Sequence, residues 1–363
     1  MQVTRIRLQN YRNIPFVDLP LEGSTQFFVG KNAQGKTNLL EGVGLLSALR
    51  SFRTQDANLL ITQGQNEAKL AFDLVDERLG STEVWVTLKR KGKEVEVDGE
   101  KVTRFRDFIG RFPVVVLSSQ DIQLLRGSPG VRRQWLNLVL SSGSSIYYDT
   151  LKDFHKLLQE RNSLLKGNKD YSEIEVFEKM LAGKSAQLLS SRGSEIGKLN
   201  SLLKGIYNQI SPSEEFPEIV YEPDVEAVSE EDFVQLFKKN RERDIFMKTT
   251  RHGPHRDDIT IRLQSRTARD FGSEGQQRSM IISLKIAQLQ YLHKVRGVLP
   301  VLLADDVLGE LDHDRKANFW NAVGESVQVI ATGTEVPGTD ERGDWQVFDV
   351  NEGSFSVRET KLP

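Results

Sequence analysis

One octapeptide limits what this chain can fold into: GKNAQGKT, residues 30–37. It matches G-x-x-x-x-G-K-[ST], with a short apolar strand pattern, QFFV, before it and a helical pattern, TNLLEGVGLLSALRSF, across its end. A loop placed between strand and helix in this way brings bare backbone N–H groups and the positive helix end against a phosphate chain. Gly30, Lys31, Asn32, Ala33, Gln34 and Gly35 form the predicted cradle, and Asn38 follows it on the helix. Lys36 is expected to reach the β- and γ-phosphates, and Thr37 to ligate Mg²⁺. ATP and Mg²⁺ are therefore the cofactors this motif predicts.

An acidic partner stands where such a loop needs one. PVLLADD, 300–306, reads as a buried strand ending in Asp305 and Asp306. The first carboxylate supports the metal, and the second can orient an attacking water or take its proton. Without the loop, the same pair would read as a strand end capping the next helix. A second anion-binding junction lies at FGSEGQQR, 271–278, where a polar, glycine-rich stretch runs into the apolar helix SMIISLKIAQLQYL. One chain thus carries two phosphate-type junctions, far apart in sequence.

A length of 363 residues fits about two domains. The chain has no cysteine, which excludes disulfides, zinc–cysteine sites and thiol catalysis and suits a reducing cytoplasm. No apolar run approaches the roughly 20 residues that span a bilayer, so no membrane association is expected. A net charge of −2 leaves no general basic surface. Nucleic acid would have to meet local patches: Lys89, Arg90, Lys91 and Lys93 on a predicted hairpin, and Arg132 and Arg133 beside GSPG. Charged hairpin tips are also commonly no more than solvated faces. Strand patterns occupy 1–21, 26–30, 68–75, 82–97, 112–118, 257–263, 300–306, 326–332 and 345–350. Helical patterns occupy 146–166, 172–210, 230–246, 276–293 and 312–323. The alternation predicts an α/β nucleotide domain built from 1–120 and 247–363, split by a mainly helical insertion over 121–246.

GKNAQGKT, FGSEGQQR, LLADDVLGELD and the late TGTE together resemble the ABC-type ATPases. With LQNYRN (8–13), SSQDIQLLRGSPGVRRQWLN (118–137) and GPHRDD (253–258), the chain resembles the RecF family of DNA-repair ATPases, relatives of the SMC proteins, over nearly its whole length. The resemblance implies an ABC-type P-loop ATPase head, with mixed sheets and flanking helices, and an inserted helical lever too short for an SMC coiled coil. It implies Asp305 as the Walker B aspartate, Asp306 as the catalytic carboxylate and Gln120 as a Q-loop residue near Mg²⁺ and water. Thr334 falls near the switch position, and Arg12 beside the nucleotide. Ser273, Gly275 and Gln276 match the signature motif, and Asp312 the D-loop. Glu274 stands where glutamine is more usual, and Gly309 where serine is.

In that architecture the signature loop meets the nucleotide held by a second copy. The resemblance therefore implies an ATP-dependent homodimer with two composite sites, bound to duplex DNA or to single-strand/double-strand junctions. It implies slow, DNA-stimulated hydrolysis that releases the dimer, and help with recombinase loading during recombinational repair of gapped DNA. RecR and RecO are partners implied by resemblance alone. Two other readings stay open: the ATPase subunit of a membrane transporter, and an ATP-gated clamp with vestigial hydrolysis. The SEGQQ signature, the Asp-Asp pair and the helical insertion speak against the transporter.

Overall fold

The computed structural model describes residues 1–78, 80–167, 171–212, 215–336, 338, 342–343 and 345–358. Strands β1 (Gln2–Tyr11) and β2 (Ile14–Pro20) form a hairpin, and β3 (Thr25–Val29) leads into helix α1 (Lys36–Ala48). Next come β4 (Glu67–Asp76), β5 (Gly80–Lys89), β6 (Gly92–Val97), β7 (Glu100–Lys101) and β8 (Val114–Ser118). A helical stretch follows: α2 (Gln123–Arg126), α3 (Pro129–Gly143), α4 (Ser145–Leu164) and α5 (Tyr171–Ile210). Then come β9 (Pro217–Glu222), α6 (Glu230–Met247), β10 (Asp258–Leu263), β11 (Arg266–Thr267), α7 (Ala268–Phe271) and α8 (Glu274–Arg296). The chain closes with β12 (Val301–Asp305), α9 (His313–Val323), β13 (Val329–Gly333), β14 (Gln346–Asn351) and β15 (Ser354–Val357).

The chain divides into two compact units. The first comprises Met1–Asp121, Gly205–Ser213 and Arg278–Pro363. Its antiparallel sheet has the order β2-β1-β4-β5-β6-β7. In β5, Val84, Val86 and Leu88 are buried and alternate with half-buried neighbours, the pattern of a sheet covered on one face. The segment expected as one strand over 1–21 is in fact two, because Arg12 adopts φ 55° and turns the chain back. A second sheet has the order β15-β14-β3-β13-β12-β8, parallel from β14 to β8. β3, β12 and β13 are buried at every position, as parallel strands covered on both faces must be. Helix α1 is buried along nearly its whole length, and its Leu39, Leu40, Val43 and Leu46 join Ile6, Leu8 and Leu70 of one sheet and Leu303 and Ile330 of the other in a single core. That packing, rather than an amphipathic stripe, holds the helix in place.

The second unit comprises Ile122–Lys204 and Glu214–Gln277. It extends beyond the boundary expected at 246, so that β10 and the signature loop fall in it, while the end of α5 falls in the first unit. Nor is it purely helical: β9 pairs antiparallel with β10, from Pro217↔Leu263 to Glu222↔Asp258, and forms a small sheet of order β11-β10-β9. Charged groups brace its interior. Arg161 is fully buried between Glu178 and Asp244, each at 2.8 Å. Arg192 donates to Asp257 Oδ2 at 2.6 Å and to Pro254 O at 2.7 Å. Among the described residues, no helix is long and apolar enough to cross a membrane.

Candidate functional site

The parallel strands of the second sheet of the first unit deliver their C-terminal ends to one edge, the usual place for a ligand in an α/β sheet. The register sets Asp305 beside both Thr332 and Ser118, and Gly333 beside Val29. The loop after β3, the Asp305–Asp306 pair ending β12, Thr334 just after β13 and Gln120 just after β8 therefore emerge together.

The loop is built around Lys36. This residue is only 6% exposed, and its Nζ donates to Gly30 O at 2.6 Å and to Lys31 O at 2.9 Å, which holds the ammonium inside the ring of backbone. Burial pulls its pKa down, while Asp306 and Asp305 pull it up. Gly35 has φ 113°, a conformation that favours glycine, and a Cβ there would meet Asn13 Oδ1 at 3.0 Å. Asn32 and Ala33 are exposed, and Ala33 sits at φ 66°.

One oxygen organises the acidic side. Thr37 Oγ1 and Thr332 Oγ1 both donate to Asp305 Oδ1, each at 2.9 Å. Burial raises the Asp305 carboxyl, against these two hydrogen bonds and the charge of Arg53. A hydroxyl and a carboxylate side by side make a hard-oxygen pair of the kind Mg²⁺ takes, with phosphate and water oxygens completing the shell. Among the described residues, no group of three or more His, Cys, Asp or Glu could hold a metal by itself. Asp306 is exposed with φ 56°, and its N–H donates to Thr332 Oγ1 at 3.1 Å. A non-glycine residue in that conformation costs energy and is typical of functional positions. Gln120 and Thr334 are exposed at the same edge.

Sequence reasoning missed several neighbours. Thr332 is one. Arg53 is another: its Nη1 donates to Asn38 Oδ1 at 2.7 Å, and Asn38 Nδ2 donates to Asn13 Oδ1 at 2.7 Å. The turn between β14 and β15 is a third. Gly353 N donates to Gln34 O at 2.8 Å, and Glu352 N to Gln34 Oε1 at 2.7 Å. A cavity of about 570 Å³ opens there, lined by Lys31, Gln34, Asn351, Glu352 and Ser354 among others. Arg12, expected beside the nucleotide, pairs its guanidinium with Glu41, with Nε at 2.8 Å from Oε2 and Nη2 at 2.7 Å from Oε1.

The signature loop, in the second unit, starts α8 with a reciprocal cap. Ser273 N donates to Gln276 Oε1 at 2.7 Å, and Gln276 N donates to Ser273 Oγ at 3.2 Å. Gln276 Nε2 donates to Glu215, and Gly275 is half-buried behind the cap. Glu274 is the first residue of the helix, where a carboxylate complements the helix dipole. Asp312 caps α9 by accepting from Arg315 N at 2.9 Å.

Four of the six side chains in the basic patches have partners within the chain. Arg132 donates to Asp258 Oδ1 and Oδ2 at 2.8 and 2.7 Å and to Gly127 O at 2.8 Å, while Arg133 donates to Asp257 O at 2.7 Å. Both guanidinium groups brace the fold. Lys89 pairs with Glu94 at 2.8 Å, and Lys93 turns inward to Leu49 O at the end of α1. Of the expected six, Arg90 and Lys91 are exposed, at the hairpin tip, and the other four are half-buried.

No protein-family model matches the chain. A DNA replication and repair protein RecF of Clostridium botulinum is 34% identical, covering 98% of this chain and 99% of that protein. Its counterpart in Lactobacillus johnsonii is 31% identical, covering 99% of this chain and all of that protein. A solved structure described as the recombination mediator protein RecF-ATP in the RecFOR pathway matches with a TM-score of 0.90 at 29% identity, covering 98% of this chain and 97% of that one. An SMC head bound to the C-terminal winged-helix domain of ScpA matches with a TM-score of 0.52 at 14% identity, covering 99% of this chain and 98% of that one, and so shares the fold.

Proposed function

The chain belongs to the RecF family of DNA replication and repair proteins, and from that premise we propose that it is a slow, DNA-stimulated ATPase whose ATP-bound form is a homodimer on DNA. The observation that carries this reading is the convergence of Thr37 and Thr332 on Asp305 Oδ1 beside the buried Lys36. Thr37 and Asp305 would hold Mg²⁺, with Gln120 nearby. The ion would neutralise charge on the β- and γ-phosphate oxygens.

The chain's own groups have separable tasks. Loop N–H groups and Lys36 bind the phosphates and stabilise the charge that spreads over the γ-phosphoryl oxygens. Asp306 orients water for in-line attack and takes its proton. Thr334, at the end of β13, lies on the same side. Ser273, Gly275 and Gln276 of a second copy complete the site, with helix N–H groups and a hydroxyl directed at the γ-phosphate. The bound nucleotide then bridges two chains, and its cleavage releases them.

Two weak cationic surfaces joined in a dimer gain avidity for a DNA backbone, which reconciles DNA binding with a net charge of −2. Duplex DNA or a single-strand/double-strand junction is the proposed ligand. The setting is cytoplasmic recombinational repair of gapped DNA, with RecR and RecO as partners and recombinase loading as the outcome. The likeness to a solved recombination mediator RecF of the RecFOR pathway supports that placement.

The test is sedimentation of wild type and Ser273→Arg, with ATP, with ADP and without nucleotide. Wild type is expected to dimerise only with ATP, and the variant to remain monomeric. An ATP-linked dimer of normal stability in Ser273→Arg would defeat the composite-site reading.

A further inference from the structure

The stretch 238–256, KKNRERDIFMKTTRHGPHR, holds seven lysines and arginines against two acids, a surplus of five positive charges in a chain whose net charge is −2. Folding uses up one charge of each sign. Arg241 is buried against Glu178 at 2.6 Å, and Asp244 against Arg161 at 2.8 Å. Glu242, the remaining acid, accepts from Tyr171 Oη at 2.9 Å. Lys238, Lys239, Arg243 and Lys248 are exposed, and Arg251 is half-buried. Among the described residues, none of these five makes an ion pair. Here, unlike at Lys89 and Arg132, the charge is left for something outside the chain.

Helix geometry gathers these cations. Phe233, Phe237, Arg241 and Asp244 form the buried face of α6. Lys239, Arg243 and Phe246, spaced by four and three residues, lie on the opposite face. Lys239 and Arg243 are thus about 6 Å apart along the axis. Phe246 is 83% exposed, the most exposed large apolar side chain among the described residues. Lys248 ends the helix at φ 54°. Asp244 then accepts from Arg251 N at 3.2 Å through Oδ1 and from Thr249 N at 3.1 Å through its carbonyl, which turns the following chain back onto the last turn and keeps Arg251 with the other cations.

A solvated charged face has no use for a bare phenyl ring among unpaired cations. A polyanion with open base faces satisfies both, since phosphates meet the cations and a base covers the ring. A blunt duplex offers only the phosphates; a single strand offers both. We propose that Lys238, Lys239, Arg243, Lys248 and Arg251 contact DNA backbone phosphates and that Phe246 stacks on an unpaired base, so that this surface takes the single-stranded side of a junction. The inference rests on the reading of DNA as the ligand above and adds where the second unit holds it.

The experiment titrates the full chain, with ATP and Mg²⁺, onto a fluorescent blunt duplex and onto the same duplex with a single-stranded overhang, from about 50 to 200 mM salt. The variants are Lys239→Gln with Arg243→Gln, Lys238→Gln with Lys248→Gln, and Phe246→Ala. All five positions are exposed, so the fold should tolerate the changes, and the second glutamine pair repeats the charge test independently. Each glutamine pair should weaken overhang binding about tenfold or more. It should also flatten the dependence of log K on log salt by about 1.4 per bound chain, at about 0.7 for each phosphate contact on a single strand. Phe246→Ala should weaken overhang binding about tenfold and leave the blunt duplex within about twofold. Unchanged salt slopes in both glutamine pairs, or equal losses on the two DNAs in Phe246→Ala, overturn the inference; a surface that serves an acidic protein instead would give unchanged slopes. A wild-type chain that binds neither DNA defeats the functional reading and this inference together, whereas variants that bind as well as a DNA-binding wild type defeat this inference alone.

Discussion

Thr332 does two jobs with one hydroxyl. It donates to Asp305 and accepts from the N–H of Asp306, so a single side chain sets both the carboxylate and the turn that follows it. Thr332→Val keeps the shape and removes both bonds. We expect a loss of about 1–2 kcal/mol in denaturant unfolding and weaker Mg²⁺-dependent nucleotide binding. The pH response follows from burial, which raises the Asp305 carboxyl above the usual 3.8. The folded chain therefore holds that proton more tightly than the unfolded chain. This contribution to stability is complete below 3.8 and fades as pH rises through the raised value. Metal binding needs the carboxylate, so Mg²⁺-dependent affinity should fall, on acidification, at a higher pH than an exposed aspartate would give. Thr332→Val should move that fall higher still, and nucleotide binding titrated downward from neutral pH reads it. Lys36, Thr37 and Asp305 are legible in the sequence because their spacing is local or ends a plain apolar strand. Thr332 is not, because only the β12–β13 register selects it from QVIAT. The partners of Arg132 and Arg133 are hidden for the same reason: the Asp258 carboxylate and the Asp257 backbone carbonyl lie more than a hundred residues away.

At the scale of elements, the β14–β15 turn buttresses the phosphate loop. A Cβ on Gly353 would lie 2.2 Å from Asn13 O, and the residue sits at φ 79°. Gly353→Ala must push the turn away from Asn13 and from Gln34. Gly64 offers a matched control, with φ 86° and nothing within 4 Å of its would-be Cβ. Both alanine variants should lose about 1 kcal/mol to backbone strain, but only Gly353→Ala should also weaken ATP binding, by about tenfold. Equilibrium binding of a fluorescent ATP analogue separates them, and equal affinities in the two variants would refute the buttress. Most elements are visible in the sequence as apolar periodicity. Two are not. Helix α3 starts with Pro129 at its first position, and its charged run VRRQ hides the apolar face of Trp135, Leu136, Val139 and Leu140. Strand β9 is short and lies in a proline-marked break between helices. It becomes a strand only through pairing with β10.

For the whole molecule, the same pairing explains why the second unit ends at Gln277: once β10 joins β9, the residues from 247 onward belong with the helices before them. The buried charges of that unit make it sensitive to single losses. Arg192→Met would leave Asp257 buried, with Tyr221 and the Asp224 N–H as its remaining partners. We expect about 3–5 kcal/mol of destabilisation, read as a lower denaturant midpoint, and a midpoint equal to wild type would refute it. The two-unit division has another consequence. The chain passes from one unit to the other four times, at 121/122, 204/205, 213/214 and 277/278. Two of those passages lie inside unbroken helices, α5 and α8. A polypeptide laced in this way has no hinge strand whose severing frees either half. A single nick at any one crossing leaves three covalent crossings intact.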